Sequence, residues 1–174
     1  AAARLLAKAG WAVALVEKVP FPRRKVCGEF ISAATMPVLE ACGVAGDFAA
    51  LAGPPVRAIA GYGGATMVEA PPRGPASGWG RALGREHLDT MLRDAAVVAG
   101  AQAFQPAEVR AVRHDPQGHA VLLETEQGEQ EIIARTVIAA CGSWRGAGVF
   151  AVPQGPAAPS DLFAFKAHFT ASRL

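Results

Sequence analysis

Long hydrophobic runs are missing from this sequence. Its most apolar window, residues 1–16, is interrupted by Arg4, Lys8 and Gly10 and falls short of the roughly 18 unbroken apolar residues that a membrane span needs. The window does not have the layout of a signal peptide either. An excess of one charge is also lacking, since 17 Lys and Arg stand against 15 Asp and Glu for a formal net charge of +2. That balance offers no electrostatic footprint for nucleic acid. Cysteine is scarce, with Cys27, Cys42 and Cys141 widely separated, no CxxC pair and no His/Cys cluster at ligand spacing. A zinc site is therefore excluded, and reduced thiols in a cytoplasmic protein are expected. What is abundant is apolar residues, 51% of 174 against 18% charged, enough for a globular domain with a sizeable core.

Residues 1–10 form a helix-prone run with Leu5, Leu6 and Ala9 on one side and Gly10 as its stop. Residues 12–16, Ala-Val-Ala-Leu-Val, are apolar without alternation, the pattern of a strand buried on both faces of a parallel sheet. Glu17 ends that strand. In a nucleotide-binding α/β sheet a carboxylate there accepts hydrogen bonds from both hydroxyls of an adenosine ribose; a buried strand also ends in Glu without any ligand. A helix followed by a strand supplies the second and third elements of a βαβ unit, whose glycine-rich turn belongs just before residue 1. No G-x-G-x-x-G occurs in the sequence. Either the unit is not a Rossmann half, or the sequence begins immediately after the turn.

Pro20-Phe21-Pro22-Arg23-Arg24-Lys25 is a proline-stiffened basic loop. Its cations suit a phosphate, or a solvated surface, and Gly28 beyond it lets a backbone approach a flat ring. Glu17-Lys18 followed by Arg23-Arg24-Lys25-Val26-Cys27-Gly28-Glu29-Phe30-Ile31-Ser32 resembles the flavoprotein superfamily of aromatic-ring hydroxylases, flavin-dependent halogenases and geranylgeranyl reductases. The last group is nearest in Lys25-x-Cys27-Gly28. In that family the glycine-rich turn stands directly before the helix that opens this chain, so the resemblance selects the second reading.

Residues 32–42 read as a helix, with Ser32 as cap, Met36, Leu39 and Ala41 near helical spacing and Gly43 as stop. Residues 44–55 are small and turn-rich. Residues 56–61 and 65–69 form strand-like pieces about a Gly63-Gly64 turn, a hairpin that either covers substrate or is a bare edge. After a Pro/Gly/Ser connection at 71–78 come a strand at 79–83 and a helix from 85 to about 100, burying Leu88, Leu92, Ala95, Ala96 and Ala99. Arg85 and Asp89 are one helical turn apart, a pairing worth a few tenths of a kcal/mol on an exposed surface. Arg85-x-x-Leu88-Asp89-x-x-Leu92, followed by Ala96-x-x-Ala99-Gly100-Ala101, is similar to the family's second conserved block and implies that Arg85 lies on the flavin side. His87 reads as an exposed helix residue.

Residues 101–104 suit a parallel strand. Residues 107–113, 120–126 and 129–135 suit an antiparallel meander with turns at 115–118 and 127–128. The resemblance has Val109 offer its backbone to the adenine ring; a strand valine otherwise serves the core. Residues 136–140 are another unbroken apolar strand, closed by Cys141-Gly142-Ser143-Trp144. The resemblance sets Gly142 beside the pyrophosphate. The hydroxylases carry Asp-Gly where this chain has Cys141-Gly142, a departure that weakens any inference about nicotinamide handling; Cys141 reads as a buried small residue. Residues 146–160 are rich in Gly, Ala and Pro, and 162–169 alternate as a strand, which the resemblance makes the first of a substrate domain.

The expected architecture is α/β: a Rossmann-like FAD-binding domain, parallel sheet plus antiparallel β-meander, with the beginning of a β-sheet substrate domain, truncated at both ends. Its parts are 1–55 and 84–150 for the FAD-binding domain, 56–83 for the hairpin insertion, and 151–174 for a linker and first substrate strand. The resemblance implies an FAD-dependent oxidoreductase acting on an apolar or aromatic small molecule, as monooxygenase or reductase, with NAD(P)H as candidate electron donor. It places Glu17 and Lys18 at the adenosine ribose, Arg24 and Lys25 at the phosphate and flavin side, and Cys27 and Gly28 beside the isoalloxazine. Arg85, Val109 and Gly142 complete the set, and no catalytic acid or base is named. The alternative is a non-catalytic remnant that does not bind FAD alone, because losing a central strand and its helix N-terminus removes the pyrophosphate's seat.

Overall fold

The computed structural model describes residues 1–27, 29–72, 78–142 and 149. In chain order the elements are α1 (Ala2–Lys8), β1 (Ala14–Val16), β2 (Phe30–Ile31), a 3-10 turn (Ala33–Thr35), α2 (Met36–Ala41), α3 (Ala45–Leu51), β3 (Ile59–Gly63) and β4 (Thr66–Ala70). They continue with β5 (Arg81–Ala82), α4 (Arg85–Val98), β6 (Gln102–Phe104), β7 (Ala107–Asp115), β8 (Gly118–Thr125) and β9 (Gly128–Ala134). Two compact units emerge from this mixed α/β chain. Of the described residues, the first takes 1–13 and 21–102, and the second takes 14–20, 103–142 and 149.

The first unit has its core where α2, α3 and the start of α4 meet. Leu39, Cys42, Val44, Phe48, Leu83 and Leu88 form one buried cluster, with Met91, Leu92 and Ala95 packed against it. Pro37 suits the first turn of α2, where its missing N–H costs nothing, and Gly43, at φ +70°, ends the helix in the left-handed region. Residues 44–55, expected to be turn-rich, contain α3 instead. Val44 and Phe48, one turn apart and both buried, anchor it, and Asp47 stands in its first turn. That i, i+4 pair was the available signal. α1 packs on α4, and the buried residues there are Ala7 and Ala96, small enough for close approach. Of Leu5, Leu6 and Ala9, expected on one side of the helix, Leu5 and Ala9 are exposed and Leu6 is half-buried, while Ala7 is the buried residue of α1.

β2 pairs with β5 antiparallel; of the strand expected over 79–83, only Arg81 and Ala82 find a ladder. β3 and β4 form a hairpin in which every residue is exposed. Its turn falls at Gly64-Ala65 rather than Gly63-Gly64, with Gly64 at φ +60°, as a two-residue hairpin turn requires.

In the second unit β7, β8 and β9 make the expected meander. Val121 and Leu123 of β8 are its buried residues of largest volume, joined by Ala107 and Ala120. The Asp115 carboxylate accepts the Gln117 N–H (2.8 Å) and the Thr125 hydroxyl accepts the Gln127 N–H (3.2 Å), so each hairpin turn closes on a side chain. β1 lies beside β6: Glu17 donates its N–H to Phe104 O and accepts from Ala107 N, both at 3.0 Å. With Gln102 donating its N–H to Val13 O at 2.8 Å, residues 13 to 17 and 102 to 104 advance in the same direction, the signature of a parallel pair.

Two strand expectations need correction. Residues 12–16 were expected to be buried on both faces, yet β1 is half-exposed, having β6 as its only ladder partner among the described residues. Residues 136–140 form no strand, and Ile138 is 62% exposed. An apolar extended run becomes a strand only where a neighbour receives its backbone groups, and no described strand does so. Cys141, expected to be buried, is consequently exposed. The expectations for 143–148 and 150–174, including the closing turn, the tail and the 162–169 strand, lie outside the described residues, as do Gly28 and residues 73–77.

Candidate cofactor site

Four of the anticipated residues, Arg24, Lys25, Cys27 and Arg85, belong to the first unit, and three of them are gathered by one carboxylate or its partner. Asp89 of α4 receives a fork from Arg85, Nε to Oδ1 at 2.8 Å and Nη2 to Oδ2 at 2.9 Å. Lys25 Nζ reaches the same carboxylate, 2.8 Å from Oδ2. Burial alone would push the Asp89 carboxyl up, but the Arg85 and Lys25 bonds outweigh it and hold the group below its usual range. Lys25 also stands over the Phe21 ring, 5.3 Å from its centroid, and Arg93 lies at 5.7 Å from the same ring, so one aromatic face is held among cations.

Cys27 adjoins this group through Arg85. Its thiol accepts the Glu29 N–H at 3.4 Å, and that bond, followed by one from Arg85, lowers the thiol's pKa against a smaller opposing effect of burial. Glu29 is itself held in the left-handed region, at φ +58°, a conformation that costs a non-glycine residue about 1–3 kcal/mol. It is fixed from three directions: its N–H on Cys27, its carbonyl accepting Leu83 N–H at 3.0 Å, and its Oε1 accepting Arg85 N–H at 3.4 Å. A depressed thiol keeps its charge to lower pH. Alkylation of Cys27 in cofactor-stripped protein, followed by mass spectrometry of its peptide, is therefore expected to reach half its limiting rate below the pH of an ordinary cysteine. Reactivity should fall as pH drops through that value, and Arg85→Gln should move the midpoint upward; a midpoint at the ordinary position would contradict the geometry. By linkage, the same interactions add stability above the unfolded thiol's pKa that disappears as pH falls through the folded one.

Arg24 is not part of this group. Its Nε lies 3.4 Å from Glu86 Oε1, its side chain is largely exposed, and with Arg23, Asp47 and Met91 it lines an open groove of about 850 Å³. Acidic and basic side chains share that groove. His87 is exposed, as expected.

The second unit holds Glu17, Lys18, Val109 and Gly142. Glu17 sits at the carboxyl end of β1, its Oε1 accepting the Val19 N–H at 3.2 Å, which turns the chain back beneath the carboxylate. Lys18 pairs with Glu108 at 2.6 Å. Val109 faces Leu123 across the β7–β8 ladder, and the register slips between Val109 and Ala111. Such a bulge leaves backbone groups beside Val109 outside the regular ladder; the guanidinium of Arg110, the extra residue, donates to the Glu124 carboxylate. Gly142 has φ +79° and open space where a Cβ would stand, so conformation rather than crowding calls for glycine there.

Sequence reasoning missed Asp89 as an organiser and Glu29 altogether. The Arg85–Asp89 spacing was visible. Nothing in the sequence signals that Lys25, far away along the chain, shares the same carboxylate. Among the described residues no cluster of His, Cys, Asp and Glu could hold a metal ion, and no helix is long and apolar enough to cross a membrane.

Each unit taken by itself offers groups suited to part of a nucleotide: the second a strand-end carboxylate with acceptor capacity for roughly four hydrogen bonds, the first a pair of cations with exposed surface. The decisive observation is a family model, the FAD-binding domain, that matches residues 1–150. The chain belongs to the FAD-binding domain family. FAD is accordingly its cofactor, and its fold is Rossmann-like. Among curated proteins it is similar to menaquinone reductase of Mycobacterium tuberculosis, 31% identical over 144 residues, which are 82% of this chain and 35% of that protein. It thus spans about a third of the length of the curated relatives it matches.

Solved structures share the fold. A flavoprotein/dehydrogenase from Cytophaga hutchinsonii superposes with a TM-score of 0.65 at 25% identity, over 77% of this chain and 34% of that one. The myxobacterial chondrochloren halogenase gives 0.64 at 22%, over 74% and 31%. A geranylgeranyl bacteriochlorophyll reductase-like protein from Thermoplasma acidophilum gives 0.63 at 23%, over 76% and 34%.

Proposed function

We propose that this FAD-binding domain serves an oxidoreductase that reduces an apolar, prenylated small molecule of the menaquinone type, with NAD(P)H as the electron donor. The observation that carries the reading is the 31% identity to menaquinone reductase over 144 residues; the Lys25-x-Cys27-Gly28 motif supports it. A cytoplasmic location, with Cys27, Cys42 and Cys141 as thiols, belongs to the same proposal. FAD supplies the hydride chemistry when bound, and the protein's share is binding, orientation and electrostatics.

In this reading Glu17 accepts the ribose hydroxyls, with Lys18 beside it, and Val109 presents backbone groups to the adenine. Gly142 lets the chain pass beside the pyrophosphate. Lys25 and Arg85 would set positive charge on the flavin side, where it would favour negative charge on the cofactor. Cys27 lies beside that ring, and Arg24, whose side chain is largely exposed, turns to phosphate.

The test uses the complete protein, loaded with FAD and reduced by NAD(P)H without oxygen. Menaquinone is expected to reoxidise the flavin under these conditions and to emerge carrying two added hydrogens. A flavin that stays reduced until oxygen is admitted, with a product heavier by one oxygen atom, would identify a monooxygenase and reject the proposal.

A further inference from the structure

We propose that Asp89 is a positioning residue for the cofactor: it gathers Lys25 from the basic loop and Arg85 from α4 onto one carboxylate, so that both cations act together on the flavin side. The inference rests on the proposed assignment of Lys25 and Arg85 to that side, and deepens it.

The geometry is not that of an ordinary helix-surface pair. An exposed Arg and Asp one turn apart hold each other weakly, but here both carboxylate oxygens are engaged by Arg85 and Oδ2 also receives Lys25, 2.8 Å away. The Asp89 side chain is 11% exposed, whereas Lys25 and Arg85 retain 25% and 30%. The anion is the most deeply buried of the three, and both cations retain surface to meet a ligand. Two cations brought this close repel unless a carboxylate sits between them, and a fork on Nε and Nη2 fixes the plane of the guanidinium. Removing the carboxylate therefore frees both cations at once. Cys27 would feel the change through Arg85, which also bonds its thiol.

The experiment is FAD titration of the complete, cofactor-stripped protein, read by flavin fluorescence at fixed ionic strength, with thermal unfolding as the control on folding. Asp89→Asn and Arg85→Gln are each expected to weaken FAD by about tenfold or more. The double variant should be little weaker than the worse single one, since both remove the same arrangement. Asp89→Glu, which restores the charge, should return affinity to within about threefold of the parent. A merely structural Asp89 would give additive losses, and that result overturns the inference. So does Asp89→Asn with parental affinity while Arg85→Gln is weak, an outcome that leaves the cofactor assignment standing. If Arg85→Gln and Lys25→Gln both bind FAD normally, the assignment itself falls and the inference with it. Should Asp89→Asn not fold, the cycle between Lys25→Gln and Arg85→Gln decides: losses smaller together than their sum support a shared carboxylate, and additive losses refute it.

Discussion

Phe48→Ala is expected to remove about 3–5 kcal/mol of unfolding free energy, the usual cost of deleting a fully buried aromatic ring and leaving a cavity. Phe48 is 1% exposed and sits among Leu39, Cys42, Val44, Leu83 and Leu88, so few neighbours are free to collapse into the space. Against the roughly 5–15 kcal/mol that holds a typical domain together, this loss approaches unfolding. Its consequence extends to the cofactor group, because Leu83 and Leu88 flank Arg85 in sequence and seat the first turn of α4 in the core. Urea denaturation should show a large fall in midpoint, accompanied by loss of bound FAD. Phe48→Leu, which keeps most of the volume, should cost under about 1.5 kcal/mol. A Phe48→Ala midpoint within about 0.5 kcal/mol of the parent would mean that this cluster does not hold the unit together.

The sequence made local structure legible wherever one residue type dictates backbone geometry. Gly10, Gly43 and Gly100 all have positive φ at the end of the helix each was expected to stop, and the Asp115 turn closes on its own carboxylate as its residues suggest. The meander was legible through three strand-like runs separated by turn signals at 115–118 and 127–128. α3 was not, because its small residues resemble a loop until Val44 and Phe48 are counted as one face. Residues 12–16 and 136–140 failed for a different reason. Apolarity marks a tendency to be covered, but burial and strand pairing are made by neighbours that the segment's own sequence does not mention. The same holds for the candidate site. The family resemblance singled out Arg85 and the basic loop separately, whereas their joining through Asp89, and the strained turn at Glu29 that ties Cys27 to Arg85, are tertiary facts.

Glu17→Gln is expected to weaken FAD binding by about tenfold to a hundredfold. On the proposed assignment, the two ribose hydroxyls donate to an ionised carboxylate, and hydrogen bonds to a charged acceptor are worth about 1.5–3 kcal/mol, each 1.4 kcal/mol being a factor of ten. Glutamine keeps the shape and one oxygen, so the turn in which Oε1 accepts the Val19 N–H can persist. The backbone bonds of Glu17 to Phe104 and Ala107 do not involve the side chain. Stability should therefore stay within about 0.5 kcal/mol of the parent, separating a lost ligand contact from a damaged strand. FMN sharpens the comparison, since it carries the flavin but no adenosine ribose. In the complete protein the substitution should leave FMN affinity unchanged while FAD affinity falls, so that the preference for FAD over FMN shrinks by the same factor. Equal losses for both ligands would place the effect of Glu17 elsewhere than the ribose, and unchanged binding of both would remove Glu17 from the site.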